Sequence, residues 1–191
     1  MTRTRLEAFS DAVIAILMTI MVLELKVPHG IDWQALRPLV PVFLAYVLSF
    51  IFLGIYWNNH HHMLQVTERI NGAILWANLH LLFWLSLVPF ATGWMGENHV
   101  AALPTALYGA VLLMAAIADT ILQTTIVACE GPHSKLREAI GSDFKGKISI
   151  VGYAAAIPLA FVNPWIAIGL YVFVAGLWLV PDRRIESKVG R

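Results

Sequence analysis

Apolar runs separated by short polar segments make up most of the chain. A transmembrane helix needs roughly 20 mostly apolar residues, so the pattern predicts six such helices. The last two come from one long stretch that divides at Asn163-Pro164, because proline disfavours helix at the residue before it. The predicted spans are about 8–25, 38–57, 71–93, 101–128, 148–162 and 164–180.

The composition indicates that this pattern belongs in a membrane. Hydrophobic residues make up 59% of the 191 residues and charged residues 13%, whereas globular chains average roughly 45–50% and 25%. We therefore predict an all-α polytopic membrane protein with a single transmembrane domain over residues 1–191. The single Cys129 excludes an internal disulfide, and the net charge of +1 gives no reason to expect a nucleic-acid partner. No nucleophile elbow, H-E-x-x-H, P-loop or paired C-x-x-C motif occurs, so we expect no enzymatic activity.

The distribution of the 13 lysines and arginines predicts the orientation. With six spans, both termini and the second and fourth loops share one side of the membrane. The other side holds two basic residues, Lys26 and Arg37. Basic residues concentrate on the cytoplasmic side, so we expect an inner-membrane protein with both termini in the cytoplasm. The basic residues on that side are Arg3, Arg5, Arg69, Lys135, Arg137, Lys145, Lys147, Arg183, Arg184, Lys188 and Arg191.

The first span carries an unusual number of polar residues for a transmembrane helix. Asp11 lies within it, and an intramembrane carboxylate usually faces protein or water. At 100° per residue, one face of the span forms a stripe that is apolar apart from a single hydroxyl. Such a stripe either packs against another helix or lines a pore, and periodicity alone leaves both possibilities open. The stripe consists of Ala12, Ile16, Thr19, Ile20 and Leu23.

A short motif at the start of this span resembles a known family signature. Arg5, Phe9, Ser10 and Asp11 stand at the spacing of the RxxxFSD signature of transmembrane protein 175, the endo-lysosomal potassium channel family. The resemblance continues in the second span, where 56–60 (YWNNH) is similar to the family's W-x-x-H segment. It also includes Asn78-Leu79-His80 of the third span. One six-helix repeat of this family fits the whole chain.

The resemblance implies a passive, potassium-selective cation channel. Prokaryotic members are homotetramers in which the first helices line a central pore. The family's hydrophobic constriction falls on Ile16, its threonine layer on Thr19, and the next pore-facing position on Leu23. Ala15 stands where the eukaryotic first repeat has serine, so the implied preference for potassium over sodium is modest. The implied partners are other copies of the chain, membrane lipid and permeant potassium ions, with no cofactor.

The remaining polar residues of the spans are predicted to have structural roles. We expect Arg5, Phe9, Ser10, Asp11 and His80 to form a polar network that holds the first span against the third. The triplet at 60–62 could bind zinc through imidazole, but consecutive helical residues point about 100° apart. We therefore expect an interfacial role for the triplet beside Trp57, and no metal site. Asp119 in the fourth span is either a functional site or is satisfied by neighbouring polar groups.

Several functions compete with potassium conduction. Ala15 and the titratable Asp11 and His80 are compatible with a weakly selective or proton-permeable leak channel. A secondary transporter is another possibility, but such proteins commonly break helices with glycine or proline at mid-membrane. Residues 8–25 contain neither residue. A membrane-embedded redox protein that uses the histidines is a third alternative.

Overall fold

The computed structural model describes residues 2–131, 134, 136–137 and 143–179. Seven α-helices follow one another in this part of the chain, together with 3-10 segments at Met21–Glu24 and Trp33–Leu39. The α-helices are α1 (Arg3–Ile20), α2 (Val40–Val66), α3 (Gly72–Ser86), α4 (Val88–Glu97), α5 (Ala102–Glu130), α6 (Phe144–Val162) and α7 (Pro164–Leu179).

Within the described residues, five helical segments are long and apolar enough to cross a membrane. α7 is equally apolar but shorter, with 16 described residues. The prediction of an all-α, polytopic membrane protein is confirmed. The described residues do not include Lys135, Val180 or the basic residues of the segment 183–191. The five segments are Arg3–Glu24, Trp33–Val66, Gly72–Glu97, Ala102–Glu130 and Phe144–Val162.

The second span extends further than the sequence pattern predicted. The sequence predicts its end near Trp57, because the polar run that follows is typical of a helix end. The structure continues α2 to Val66. This run contains no proline or glycine, and two of its side chains, His60 and His61, find partners on α3 and α1. The helix ends beside Thr67, whose hydroxyl donates back to the Met63 carbonyl oxygen at 2.8 Å.

The third predicted span consists of two helices, α3 and α4, joined at Leu87. Pro89 explains the break, since proline has no N–H to donate to the carbonyl four residues earlier. The first span also changes character, because α1 ends at Ile20 and the chain continues as a 3-10 segment. Leu23 therefore lies in that segment and not in the α-helix.

α5 packs against α3, α4, α6 and α7, whereas α1 packs against α2, α3 and α4. α5 and α7 meet closely at Gly109, where the Tyr171 side chain fills the space that a side chain would need. The Tyr171 hydroxyl donates to the Thr105 carbonyl oxygen at 3.0 Å. α1 thus lies at one side of the molecule, in contact with only part of the bundle.

Candidate ion pathway and the polar contacts of α1

One face of α1 and of the segment after it is left uncovered by the rest of the chain. Ala12, Ile16, Thr19 and Leu23 form this open face of α1. Ile16 is 58% exposed and Leu23 is 77% exposed. Residues on the opposite side, such as Ile14 and Leu17, are buried. The predicted stripe is therefore free to contact other copies, lipid or water.

The Thr19 hydroxyl has a defined orientation on the open face of α1. Its oxygen lies 3.0 Å from the Ala15 carbonyl oxygen and 2.9 Å from that of Ile16. The hydroxyl proton is therefore used by the backbone of the same helix, as is common for helical threonine. The lone pairs of the oxygen remain available as acceptors on the exposed side, where they can contact a cation.

The buried side of α1 is joined to two other helices by a chain of hydrogen bonds. The His60 Nε2 atom of α2 lies 2.7 Å from the Asn78 Oδ1 atom of α3, and the Asn78 amide nitrogen donates to Ser10 at 3.0 Å. Ser10 in turn donates to the Leu6 carbonyl oxygen at 3.0 Å. All three side chains are at most 1% exposed. This network holds α1 against α3, and its central residue is Asn78.

Asp11 and Glu7 contact α2. The Trp57 indole nitrogen donates to the Asp11 carboxylate at 3.0 Å. One turn earlier on α1, the Glu7 carboxylate lies 2.9 Å from the His61 Nδ1 atom. His61 stacks on Trp57 with a ring separation of 6.1 Å. The side of α2 that carries Trp57 and His61 therefore faces the side of α1 that carries the two carboxylates.

Three members of the predicted polar network lie elsewhere. His80 accepts a hydrogen bond from the Trp84 indole on its own helix, at 2.9 Å, and does not contact Asp11. Phe9 is 45% exposed. Among the described residues, none accepts a hydrogen bond from the Arg5 guanidinium. Within one copy, the structure therefore differs from the prediction: Asn78 and His60 take the place assigned to His80.

Asp119 lines a cavity of about 30 Å³ between α2, α5, α6 and α7. Its carboxylate accepts from the Gln123 amide nitrogen one turn along the same helix, at 2.7 Å. The sequence left open satisfaction by Thr120, Gln123 or Thr124 across a helix interface; Gln123 is the partner, but it acts within its own helix. The hydroxyl-bearing Tyr56 and Tyr153 also line the cavity, which lies on the side of α2 away from α1.

Sequence reasoning missed a second buried network. The Thr92 hydroxyl of α4 donates to Ser49 of α2 at 2.6 Å, and Ser49 lies 2.9 Å from the Tyr108 hydroxyl of α5. The signal in the sequence is weak, because single hydroxyl residues in apolar helices also bond to their own backbone. Only the packing of three helices brings these side chains together.

The helical spans define the class of this protein, the polytopic α-helical membrane proteins. The open face of α1 is a surface through which such a protein can associate. Comparison with known proteins narrows this class. The family model described as Endosomal/lysosomal potassium channel TMEM175 matches residues 5–89. A protein named as a potassium channel, from Chryseobacterium sp. strain P1-3, is 60% identical over 189 residues, or 99% of this chain and 98% of that protein. The chain therefore belongs to the TMEM175 family.

Two further comparisons extend this result. A crystal structure described as a lysosomal potassium-selective channel TMEM175 homolog from Chamaesiphon minutus matches with a TM-score of 0.82 at 29% identity. The match covers 93% of this chain and 96% of that chain. A Gallus gallus protein named endosomal/lysosomal proton channel TMEM175 is 30% identical over 103 residues, or 48% of this chain and 21% of that protein. The family resemblance of the RxxxFSD signature is thus confirmed.

Proposed function

We propose that this protein is a channel that conducts potassium ions passively through a pore lined by α1 from several copies. The observation that carries the proposal is the open face of α1, which runs along the helix as a continuous uncovered stripe. The bacterial relatives named as potassium channels support the choice of ion. Because these relatives are named as channels, we also infer that the chain is not an enzyme.

Ile16 is the residue that we assign to the constriction. Several Ile16 side chains meeting on an axis form a narrow apolar ring, and such rings gate by dewetting. The branched side chain is stiff at χ1, which keeps the ring narrow. Leu23 supplies a second apolar ring about two turns after Ile16, in the 3-10 segment.

Thr19 is the residue that we assign to selectivity. Its hydroxyl proton is used within α1, so the oxygen lone pairs can replace part of the hydration shell of an ion. A ring of uncharged hydroxyls favours potassium, because potassium loses its water more cheaply than sodium does. Ala15, next to the constriction, offers no further hydroxyl. We therefore expect the selectivity over sodium to be modest.

The proposed pore requires more than one copy of the chain, since a single α1 cannot enclose a pathway. We propose a homotetramer in membrane lipid, with no cofactor and no nucleic-acid partner. Native mass spectrometry of the protein in lipid nanodiscs measures the number of copies directly. A monomer under conditions that support ion flux would contradict the assembly.

We propose that the protein lies in the inner membrane and that both of its termini are in the cytoplasm. Thr2 lies at the start of α1, whereas Ile31 lies in the exposed loop after it. In a Cys129→Ser background, an impermeant thiol reagent should label Ile31→Cys in intact cells. It should label Thr2→Cys only after the cells are opened. The reverse pattern would invert the topology.

Proton conduction is a second candidate, because vertebrate members of the family are named proton channels. Secondary transport is less well supported, since α1 contains neither glycine nor proline from Arg3 to Ile20. Flux from liposomes with potassium, sodium and N-methylglucamine gradients, together with a pH-sensitive dye, separates these functions. Potassium flux without a proton gradient supports the channel, and flux that requires proton exchange supports transport.

The pore axis is tested by Ile16→Asn. Replacing an apolar ring by amides should wet the constriction and raise ion flux severalfold. Ile166→Asn is the matched control, because Ile166 is similarly exposed, at 46%, but lies on α7. Equal flux in Ile16→Asn and the unmodified protein would remove this residue from the pathway.

A further inference from the structure

Three metal-ligating side chains converge where α1 meets α2. Glu7 and Asp11 lie one turn apart on α1, and His61 faces them from α2. One ligand atom from each residue lies within 4.8 Å of the other two. The cluster is distinct from the open face of α1. It is also accessible, since the side chains of His61 and Glu7 are 33% and 18% exposed.

A neighbouring glutamine supplies an independent observation. The Gln65 Nε2 atom lies 2.7 Å from the His61 Nε2 atom, so the amide donates to that ring nitrogen. The Nδ1 atom of His61 then carries the proton and donates to Glu7. In this arrangement the Gln65 Oε1 atom is buried without a hydrogen-bond partner.

Reversing the Gln65 amide would prepare His61 to bind a cation, and it would place the amide nitrogen where the unpartnered oxygen now lies. The Oε1 atom would then accept a hydrogen bond from His61 Nε2–H, which moves the free lone pair to Nδ1. That lone pair would face the Glu7 carboxylate oxygen, 2.9 Å away. Two electron-rich atoms at this distance repel each other unless a cation binds between them.

We propose that Glu7, Asp11 and His61 form a binding site for a divalent transition-metal cation of the zinc class. One imidazole and two carboxylates are ligands that zinc accepts, and solvent can fill the fourth position. Tetrahedral coordination places ligand atoms about 3.4 Å apart, so side-chain adjustments of about 1 Å suffice. The spacing of the histidines at 60–62 predicted no metal site. That argument concerned one helix only, whereas the proposed ligands come from both α1 and α2.

Hydrogen bonds that would orient the proposed ligands are already present. Trp57 donates to one oxygen of Asp11 and leaves the other free. Gln65 would hold the His61 ring through Nε2, as outer acceptors do in zinc sites. A bound metal would join α1 to α2 without occupying the open face of α1. The proposal therefore goes beyond ion conduction and can be tested without measuring flux.

The test is calorimetric titration of zinc chloride into the full-length, chelator-treated protein in detergent. We expect one zinc ion per chain, with affinity reduced at least about tenfold in both Glu7→Gln and His61→Gln. His62→Gln is the matched control, because it removes an adjacent imidazole that lies outside the cluster. Cobalt(II) should give the visible absorption of a four-coordinate ion in the unmodified protein and in His62→Gln only.

Several results would overturn the proposal. They are the absence of zinc binding, undiminished binding in Glu7→Gln, or an equal loss in His62→Gln. Thermal unfolding adds a check, since a melting temperature of the unmodified protein that does not respond to zinc would also contradict the site. If His61→Gln does not fold, the near-isosteric Glu7→Gln and the cobalt spectrum decide the question.

Discussion

Asn78 on α3 donates a hydrogen bond to the Ser10 hydroxyl on α1 at 3.0 Å, and neither side chain is exposed. Asn78 is also bonded to His60, so one amide side chain connects three helices. Hydrogen bonds between transmembrane helices contribute about 0.6 kcal/mol on average. Stranding a buried partner costs more, about 1–3 kcal/mol. The hydrogen bonds of Asn78 therefore stabilise the protein mainly because they give buried polar groups a partner.

Asn78→Leu should lower the thermal stability of the detergent-solubilised protein, because it strands both His60 and Ser10. We expect a loss of about 1–3 kcal/mol in the free energy of unfolding, measured from tryptophan fluorescence. Ser10→Ala should cost less, since it removes only one partner. Asn58→Leu, on the exposed side of α2, is the control. Equal stability of the two leucine variants would show that the network contributes nothing.

Thr19→Val should lower the potassium-to-sodium permeability ratio, because valine has the shape of threonine but lacks the hydroxyl oxygen. Thr19→Ser should retain most of the ratio. The control is Thr124→Val, since Thr124 makes the same backbone hydrogen bonds on the exposed side of α5. Reversal potentials in planar bilayers measure the ratio. An unchanged ratio in Thr19→Val would place selectivity elsewhere in the chain.

Asp11→Asn should leave the potassium-to-sodium permeability ratio unchanged. Asp11 contacts Trp57 and lies about 140° around the helix from Ile16, so it does not share the open face of α1. The asparagine oxygen can still accept from the indole. We expect lower stability or slower assembly, seen by size-exclusion chromatography. A large shift of reversal potential would assign Asp11 to the ion pathway instead of to the contact between α1 and α2.

Gly109→Ala should destabilise the protein by about 1–3 kcal/mol, because the added methyl group overlaps the Tyr171 side chain. Tyr171 is fully buried and cannot move aside easily. Gly169→Ala is the matched control, since nothing lies within 4 Å of the position of its added carbon. Alanine there should leave the melting temperature equal or slightly higher, because alanine favours helix. Similar losses in both variants would contradict the close packing.

Asp143→Asn should be at least as stable as the unmodified protein at pH 7. Burial raises the pKa of Asp143, so the folded protein binds this proton more tightly than the unfolded chain does. The stability that the proton contributes is present at low pH and is lost as pH rises through the raised pKa. Asparagine keeps the cap on Gly146 N–H without the charge and tolerates the φ of 45°.

Melting temperatures at pH 7 and pH 4 test this effect. The advantage of the asparagine variant should shrink at the lower pH, where the aspartate is protonated. Asp143→Ala is the control: it also lacks the charge but loses the cap, so it should stay about 1 kcal/mol less stable than Asp143→Asn at both values. An advantage that grows on acidification would show that the pKa of Asp143 is lowered in the folded protein and not raised.

The sequence by itself determined that the protein lies in a membrane, that its fold is all-α and which family it belongs to. Apolar runs of this length cannot be buried in a chain of 191 residues, so they predict membrane spans. The break at Asn163-Pro164 is also visible in sequence, because proline acts through its own backbone. The stripe that contains Ile16 and Thr19 follows from helical periodicity alone. These features are local, and residues close in sequence determine them.

The tertiary structure decided which polar side chains meet. His80 was predicted to contact α1, but Asn78 occupies that position, because the two residues point about 160° apart on α3. The predicted end of α2 was also wrong, since the polar run after Trp57 continues as helix once α1 and α3 supply partners. The Glu7, Asp11 and His61 cluster could not be read from the chain, because it depends on the register between two helices. Periodicity defines the faces of each helix, but only packing determines which faces come together.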